Sequence, residues 1–328
     1  MRRALIVCLV VLAAVFLLTG VSPAKEVKIN LGVVTKPGSA QNIVAEKFKE
    51  LIEDRTKGQT TVKIHHSASL GSETEILQQV QMGQVQMAVI TAGPFDTFIP
   101  LVRVIDYPFI FKSNEQADQV LDGPLGQEIL KSLESVDMKG LAFAENGFRN
   151  LTNNKRPVKT ADDAKGLKIR VMESALHKGI WQSLGANPTP MPWPIYTQLE
   201  QGVIDGQENP LWVIEVYKLF EVQKYMTMTR HVYSAHIGVA SLKWWKGLEP
   251  GLQDQIQKAI YEASVFQRKD NRDKDAARLQ MLKDKGMQVE ENPDVNSFRE
   301  KVANLKDMDL FKDPKVQDLL QRVMAATK

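Results

Sequence analysis

At 328 residues the chain is too long for one small core and fits two domains of ~100–200 residues each. Its 43% hydrophobic and 25% charged residues are those of a folded globular chain and exclude a disordered, collagen-like or multi-span membrane protein. Lys+Arg number 42 against 39 Asp+Glu; without Arg2 and Arg3 the balance is 40 against 39, so no global field recruits nucleic acid or anionic lipid.

Those two arginines open a leader. Met1-Arg2-Arg3 precedes fifteen uncharged, mostly apolar residues, Ala4 to Leu18, and small residues stand at Ser22 and Ala24. The pattern predicts a secretory signal peptide over 1–24, cleaved after Ala24, and a periplasmic mature chain. As a helix the apolar run would rise only ~22 Å, short of the ~30 Å hydrocarbon core. The only cysteine, Cys8, lies in this leader. The mature chain is therefore expected to hold no disulfide, cysteine nucleophile or thiolate metal site.

Val27, Ile29, Leu31 and Val33 alternate with their neighbours, the period of a half-buried strand. Gln41 to Lys57 carries a helical stripe of Ile43, Val44, Phe48, Leu51 and Ile52, closed by Gly58. Thr60 to His66 reads as a strand. Ser72 and Glu75 have capping-box spacing before a helix that ends at Gly83, and Met87 to Thr91 is a short buried strand. Strand, helix, strand, helix, strand is a βαβαβ unit with a parallel sheet. Further on, the pattern predicts a strand over Lys168–Met172 and a helix over Ser174–Leu184. A Pro-rich connection follows over Gly185–Pro194, then a helix over Tyr196–Gln201 and a strand-like run over Val203–Gln207. From Pro250 to Gly286 one helix of some 35 residues is expected, about 50 Å long. Its apolar pattern dissolves into charge around Lys269 to Asp275, which argues for a brace across two domains rather than a coiled coil.

Nucleophile elbow, H-E-x-x-H pair, P-loop and dinucleotide fingerprint are all missing. Adjacent His65 and His66 would point to opposite faces of a strand, and His231 and His236 are awkwardly spaced for a shared ion. Neither a metal nor a cofactor is expected, and nothing promotes an enzyme.

Three segments carry a resemblance. They are Leu70-Gly71-Ser72-Glu73 leading to Gln78–Gly83, Asn146-Gly147-Phe148-Arg149-Asn150-Leu151-Thr152, and the run from Gly166-Leu167-Lys168-Ile169-Arg170-Val171 through Leu184–Met191 and Tyr196 to Gly202–Pro210. In this order they resemble the solute-binding subunit of tripartite ATP-independent periplasmic (TRAP) transporters, the DctP family. The resemblance implies an α/β, two-domain periplasmic binding protein fold (type II-like), with a cleft and a long helix spanning both domains. By analogy domain I holds 25–146 and 235–275, and domain II holds 147–234 and 276–328. The partners it implies are a small organic acid and the small and large membrane permease subunits; a monomer and no nucleic acid are expected. A receptor for an ATP-driven importer or sensor kinase is the alternative, with a periplasmic enzyme acting on an organic acid further off.

The resemblance also distributes roles. Arg170 would hold the carboxylate, for which a planar guanidinium offers two parallel donors. Arg149 would be a second basic contact, with an interdomain ion pair as its structural alternative. Asn209 would be the polar contact, and Glu73 an acidic one at a helix start. Trp193 would pack on the solute, although Trp193-Pro194-Ile195-Tyr196 is one residue shorter than the family pattern. Thr91, His231 and Tyr233 would border the cleft. Where sialic-acid binders carry an acid and an arginine this chain has Thr91 and Pro94, which argues against that solute.

Overall fold

The alternating run after Glu26 forms β1 (Val27–Gly32), which buries Ile29 and Leu31. Helix α1 (Ala40–Arg55) starts at Ser39, whose side chain accepts from the Asn42 amide, and buries Val44, Phe48 and Ile52. After β2 (Thr60–His65), helix α2 (Glu73–Gln81) opens on the expected capping box of Ser72 and Glu75. Strand β3 (Met87–Thr91) is buried throughout. Strand β1 lies parallel to both β2 and β3, the βαβαβ unit of the sequence pattern. The computed structural model describes residues 26–328; the leader assigned to 1–24 lies outside them. Among the described residues no helix is long and apolar enough to cross a membrane.

Two long antiparallel strands, β4 (Met138–Phe148) and β10 (Tyr233–Ser241), complete this first sheet in the order β2-β1-β3-β10-β4. The second sheet has six strands: β5 (Asn150–Asn153), β6 (Lys168–Val171), β7 (Asn187–Pro190), β8 (Gly206–Asn209), β9 (Tyr225–Thr227) and β11 (Gln288–Glu290). Their order is β11-β9-β5-β8-β6-β7. Strand β7 falls inside the segment read as a Pro-rich connection. Pro188 and Pro190 are tolerated because β7 is an edge strand, paired only with β6. The strand expected at Val203–Gln207 begins later, at Gly206, where a Cβ would stand 2.1 Å from the Thr152 carbonyl oxygen. Only glycine lets β8 approach β5 that closely.

The chain passes between the sheets on paired strands. Strand β4 runs through Arg149 into β5, and β9 returns through 228–232 into β10. Because β4 pairs with β10 and β5 with β9, the connection is a two-stranded ribbon. Helix α5 (Pro250–Asp284) is the third link, 35 residues long. Its first half sets Ile256, Ala259, Ile260 and Ala263 against α1 and the first sheet. Its far end buries Leu282 beside the second sheet and touches α4 (Leu211–Val216). The charged middle that breaks the coiled-coil pattern is spent on cross-links. Arg268 reaches Asp118 and Asp122, Arg272 reaches Asp118 and Glu145, and Arg278 reaches Glu215. The C-terminal helix, Pro314–Ala326, lies on Pro100–Asp106 and Pro124–Ser132, with Arg322 bound to Glu128.

Candidate functional site

Between the sheets a cavity of about 30 Å³ remains, room for about two waters. One wall comes from the first sheet: Gln41 of α1, Glu73 at the start of α2, Thr91 at the end of β3, and His236 of β10. Asn146 and Arg149 stand at the ribbon. The opposite wall presents Arg170, Met172, Trp193, Asn209, Trp212 and Tyr217.

Arg170 is placed by strand alternation. Ile169 and Val171 point into the core and are fully buried, which turns Arg170 to the other face. It is 4% exposed, yet the only hydrogen bond of its guanidinium within the described residues runs from Nε to the Met191 carbonyl, 2.8 Å away. Among the described residues no carboxylate lies within ion-pair distance of it. Its guanidinium stands 5.7 Å from the centre of the Trp193 ring. Burial, and then the charge of Arg149, push Arg170 down to about 10, against the pull of Glu208, Glu73 and Glu173. A cation taken out of water without a counter-ion is costly, and an entering carboxylate relieves that cost.

Arg149 is also buried but already paired. Its Nε reaches Oε2 of Glu208, and its Nη2 donates to Oε1 at 2.7 Å. Its remaining nitrogen, Nη1, is buried with no partner among the described residues. Glu208 lies at the centre of a charged cluster. His231 Nε2 is 3.1 Å from its Oε2, and His177 Nδ1 is 3.5 Å from its Oε1. Burial would raise the Glu208 carboxyl, but the charges of Arg149 and His177 hold it well below the usual carboxylate range. His177 turns its other nitrogen to Asp106, at 3.1 Å. Burial alone would lower His177; Glu208 and Asp106 outweigh it and raise the imidazole to about 9.

The first wall is polar and largely neutral. Glu73 Oε1 accepts from the Thr91 amide at 2.9 Å and from Gln41 Nε2 at 2.7 Å. Its position in the first turn of α2 favours the negative charge. Burial, with the charge of Arg149, takes His236 down to about 3, so its ring is neutral. His236 Nδ1 is 3.4 Å from Thr91 Oγ1, and its Nε2 is buried without a partner among the described residues. Asn146 Oδ1 is likewise unpartnered. Opposite, Asn209 Nδ2 is tied to Gln207 Oε1, and the Trp193 ring meets Tyr217 edge-on at 4.6 Å. The wall thus offers both donors and acceptors that no group among the described residues uses.

The family model for DctP, bacterial extracellular solute-binding protein family 7, matches residues 31–312. The chain belongs to this family. It is 35% identical over 297 residues to the 2,3-diketo-L-gulonate-binding periplasmic protein YiaO of Escherichia coli K12, covering 90% of each. It is 32% identical over 265 residues to the C4-dicarboxylate-binding periplasmic protein DctP of Rhodobacter capsulatus, 80% of this chain and 79% of that one. A TRAP periplasmic solute-binding protein from Polaromonas sp. JS666, solved with D-erythronate, superposes with a TM-score of 0.88 at 36% identity. That match covers 92% of this chain and 99% of the other. The sugar acid binding protein DctPAm of Advenella mimigardefordensis, solved with galactonate, gives a TM-score of 0.87 at 33% identity, again over 92% and 99%. The DctP-family chain shares their two-domain periplasmic binding protein fold, with α5 crossing both lobes.

Of the residues the sequence singled out in this DctP-family chain, Arg170, Arg149, Asn209, Glu73, Trp193 and Thr91 line the cavity. His231 and Tyr233 are not on its wall. His231 is buried behind it on Glu208, its ring edge-on to Trp181, and Tyr233 donates to Glu145 Oε2 at 3.2 Å between Phe111 and Phe148. Sequence reasoning missed Gln41, Asn146, Met172, Trp212, Tyr217 and His236 on the wall, and Glu208 behind it. A signal for Glu208 exists: next to Asn209 on a strand it faces the opposite side, where a buried carboxylate requires a cation.

Proposed function

We propose that this DctP-family chain captures a small hydroxy acid between its two lobes and delivers it to the small and large subunits of a TRAP membrane permease. The observation that carries the reading is Arg170, a buried guanidinium with a single carbonyl acceptor and no carboxylate partner among the described residues. A ligand carboxylate would take its two terminal nitrogens as a fork, the strongest arrangement open to such a pair. Arg149 Nη1, His236 Nε2, Asn146 Oδ1 and the second oxygen of Glu73 would then meet ligand hydroxyls, which donate and accept together. The acids bound to the Polaromonas and Advenella proteins, D-erythronate and galactonate, have this chemistry. A solute touching both walls favours the closed arrangement, because closure adds contacts that the parted walls lack. The ribbon and α5 are the elements about which that movement would occur.

The proposal includes export through the leader with cleavage after Ala24, and a monomeric mature receptor that performs no chemistry on its ligand. It keeps 25–146 with 235–275 as one domain and 147–234 with 276–328 as the other, the last helix reaching back onto the first.

The test is a thermal-unfolding and calorimetric screen of the mature chain against aldonates, uronates, keto acids and dicarboxylates. At least one acid raises the melting temperature, with about 2.7 kcal/mol of stabilisation at a hundredfold excess over Kd, and is recovered intact. No stabilisation by any acid, or conversion of the acid to product, would overturn the reading.

A further inference from the structure

We infer that Glu208 limits the ligand to one carboxylate, an inference that rests on the reading of the cleft as an acid receptor. Two arginines reach the cavity, but only one brings free charge. Arg149 spends Nε and Nη2 on Glu208, the only carboxylate in contact with it among the described residues. The remaining buried charges close on themselves, since His177 stands between Glu208 and Asp106 at 3.5 and 3.1 Å. Arg149 and His177 balance Glu208 and Asp106, while His231 spends Nε2 on the same carboxylate. Among the described residues that line the cavity, Arg170 is left as the arginine without a carboxylate partner.

The far wall adds the opposite sign. Glu73 lines the same cavity and keeps one oxygen free of protein partners, the other accepting from Thr91 and Gln41. A second ligand carboxylate would be stripped of water beside a neutralised Arg149 and a negative Glu73, with nothing to compensate it. A terminal hydroxyl in the same place donates to Glu73 and accepts from Arg149 Nη1. Glu208 is therefore a specificity-determining residue that need not touch the solute: it discharges Arg149 while leaving Nη1 without a partner among the described residues.

The test compares acids of equal chain length that differ at one end. D-Erythronate against meso-tartrate and D-galactonate against galactarate are titrated calorimetrically into the wild type, Glu208→Gln, and the double variant Arg149→Gln/Glu208→Gln. The wild type binds at least one monocarboxylate tenfold or more tighter than its diacid counterpart. Glu208→Gln, which leaves Arg149 with no carboxylate in contact even if His177 sheds its proton, narrows that ratio at least tenfold. The double variant removes both charges and returns the ratio to within threefold of wild type, although both acids weaken. A wild type that binds the diacid as tightly, or a ratio unmoved in Glu208→Gln, overturns the inference and leaves the acid-receptor reading standing. If Glu208→Gln does not fold, the double variant decides: a tenfold change in its ratio overturns the inference. Should none of the four acids bind, the inference falls, and the acid screen shows whether the receptor reading falls with it.

Discussion

Replacing Arg170 by alanine weakens binding of the cognate acid by about 2–5 kcal/mol, thirtyfold or more, and leaves the empty protein at least as stable as wild type. The two halves have one cause. In the empty cleft the guanidinium is buried on a single carbonyl, and its pKa falls to about 10 from an ordinary 12.5. A cation whose folded pKa is depressed opposes folding at every pH below that value, here by roughly 3 kcal/mol, and the penalty fades as pH rises toward 12.5. Arg170→Met removes the charge and keeps an apolar stem against Trp193. Urea unfolding of the empty Met variant is therefore expected to show equal or greater stability. Arg170→Lys keeps charge but loses the fork, so its affinity falls by at least tenfold. If Arg170→Met loses more than 2 kcal/mol of stability while binding persists, Arg170 is a structural residue and the assignment fails.

Stability falls by an amount on the order of 3 kcal/mol as pH rises from about 6.5 to 9, through His177. Its imidazole is raised to about 9 because Glu208 and Asp106 outweigh the burial that would lower it. A raised folded pKa gives stability that is complete below the unfolded value of 6.5 and is lost as pH climbs through the folded one. Melting temperature recorded across this range shows the slope in wild type, and His177→Gln flattens it. A His177→Gln profile parallel to wild type would show that the imidazole is neutral and that Glu208 depends on Arg149 and His231 alone. On the acid side the signs reverse: His236, held down to about 3, and the depressed Glu208 both withdraw stability as pH falls.

Local signals were legible where local physics decides the outcome. The alternation of β1, the Ser72–Glu75 box and the uninterrupted 250–284 helix each follow from spacing within a few turns. The direction of Arg170 follows from its apolar neighbours Ile169 and Val171, but its place among the candidate contacts came from the family resemblance, since an arginine at a strand end reads on its own as a surface ion pair. Strand β7 was hidden because its two prolines are acceptable only at a sheet edge, and edges are set by distant pairing. His231 was placed at the cleft by the family resemblance alone. In an extended run two residues five apart face opposite sides, and the bulge at Asn146 falls on β4, so it leaves the alternation of β10 intact. His236 therefore faces the cavity and His231 faces Glu208. Tyr217 and Trp212 sit on short helical segments whose orientation depends on β8, which the sequence placed too early.

The most direct test of the clasp is a crystal structure of the protein with the acid identified by the thermal screen. Both carboxylate oxygens are expected within about 2.7–2.9 Å of the Arg170 guanidinium, between the walls that carry Glu73 and Asn209. A complex in which the carboxylate lies elsewhere, with Arg170 still bound only to the Met191 carbonyl, would contradict it.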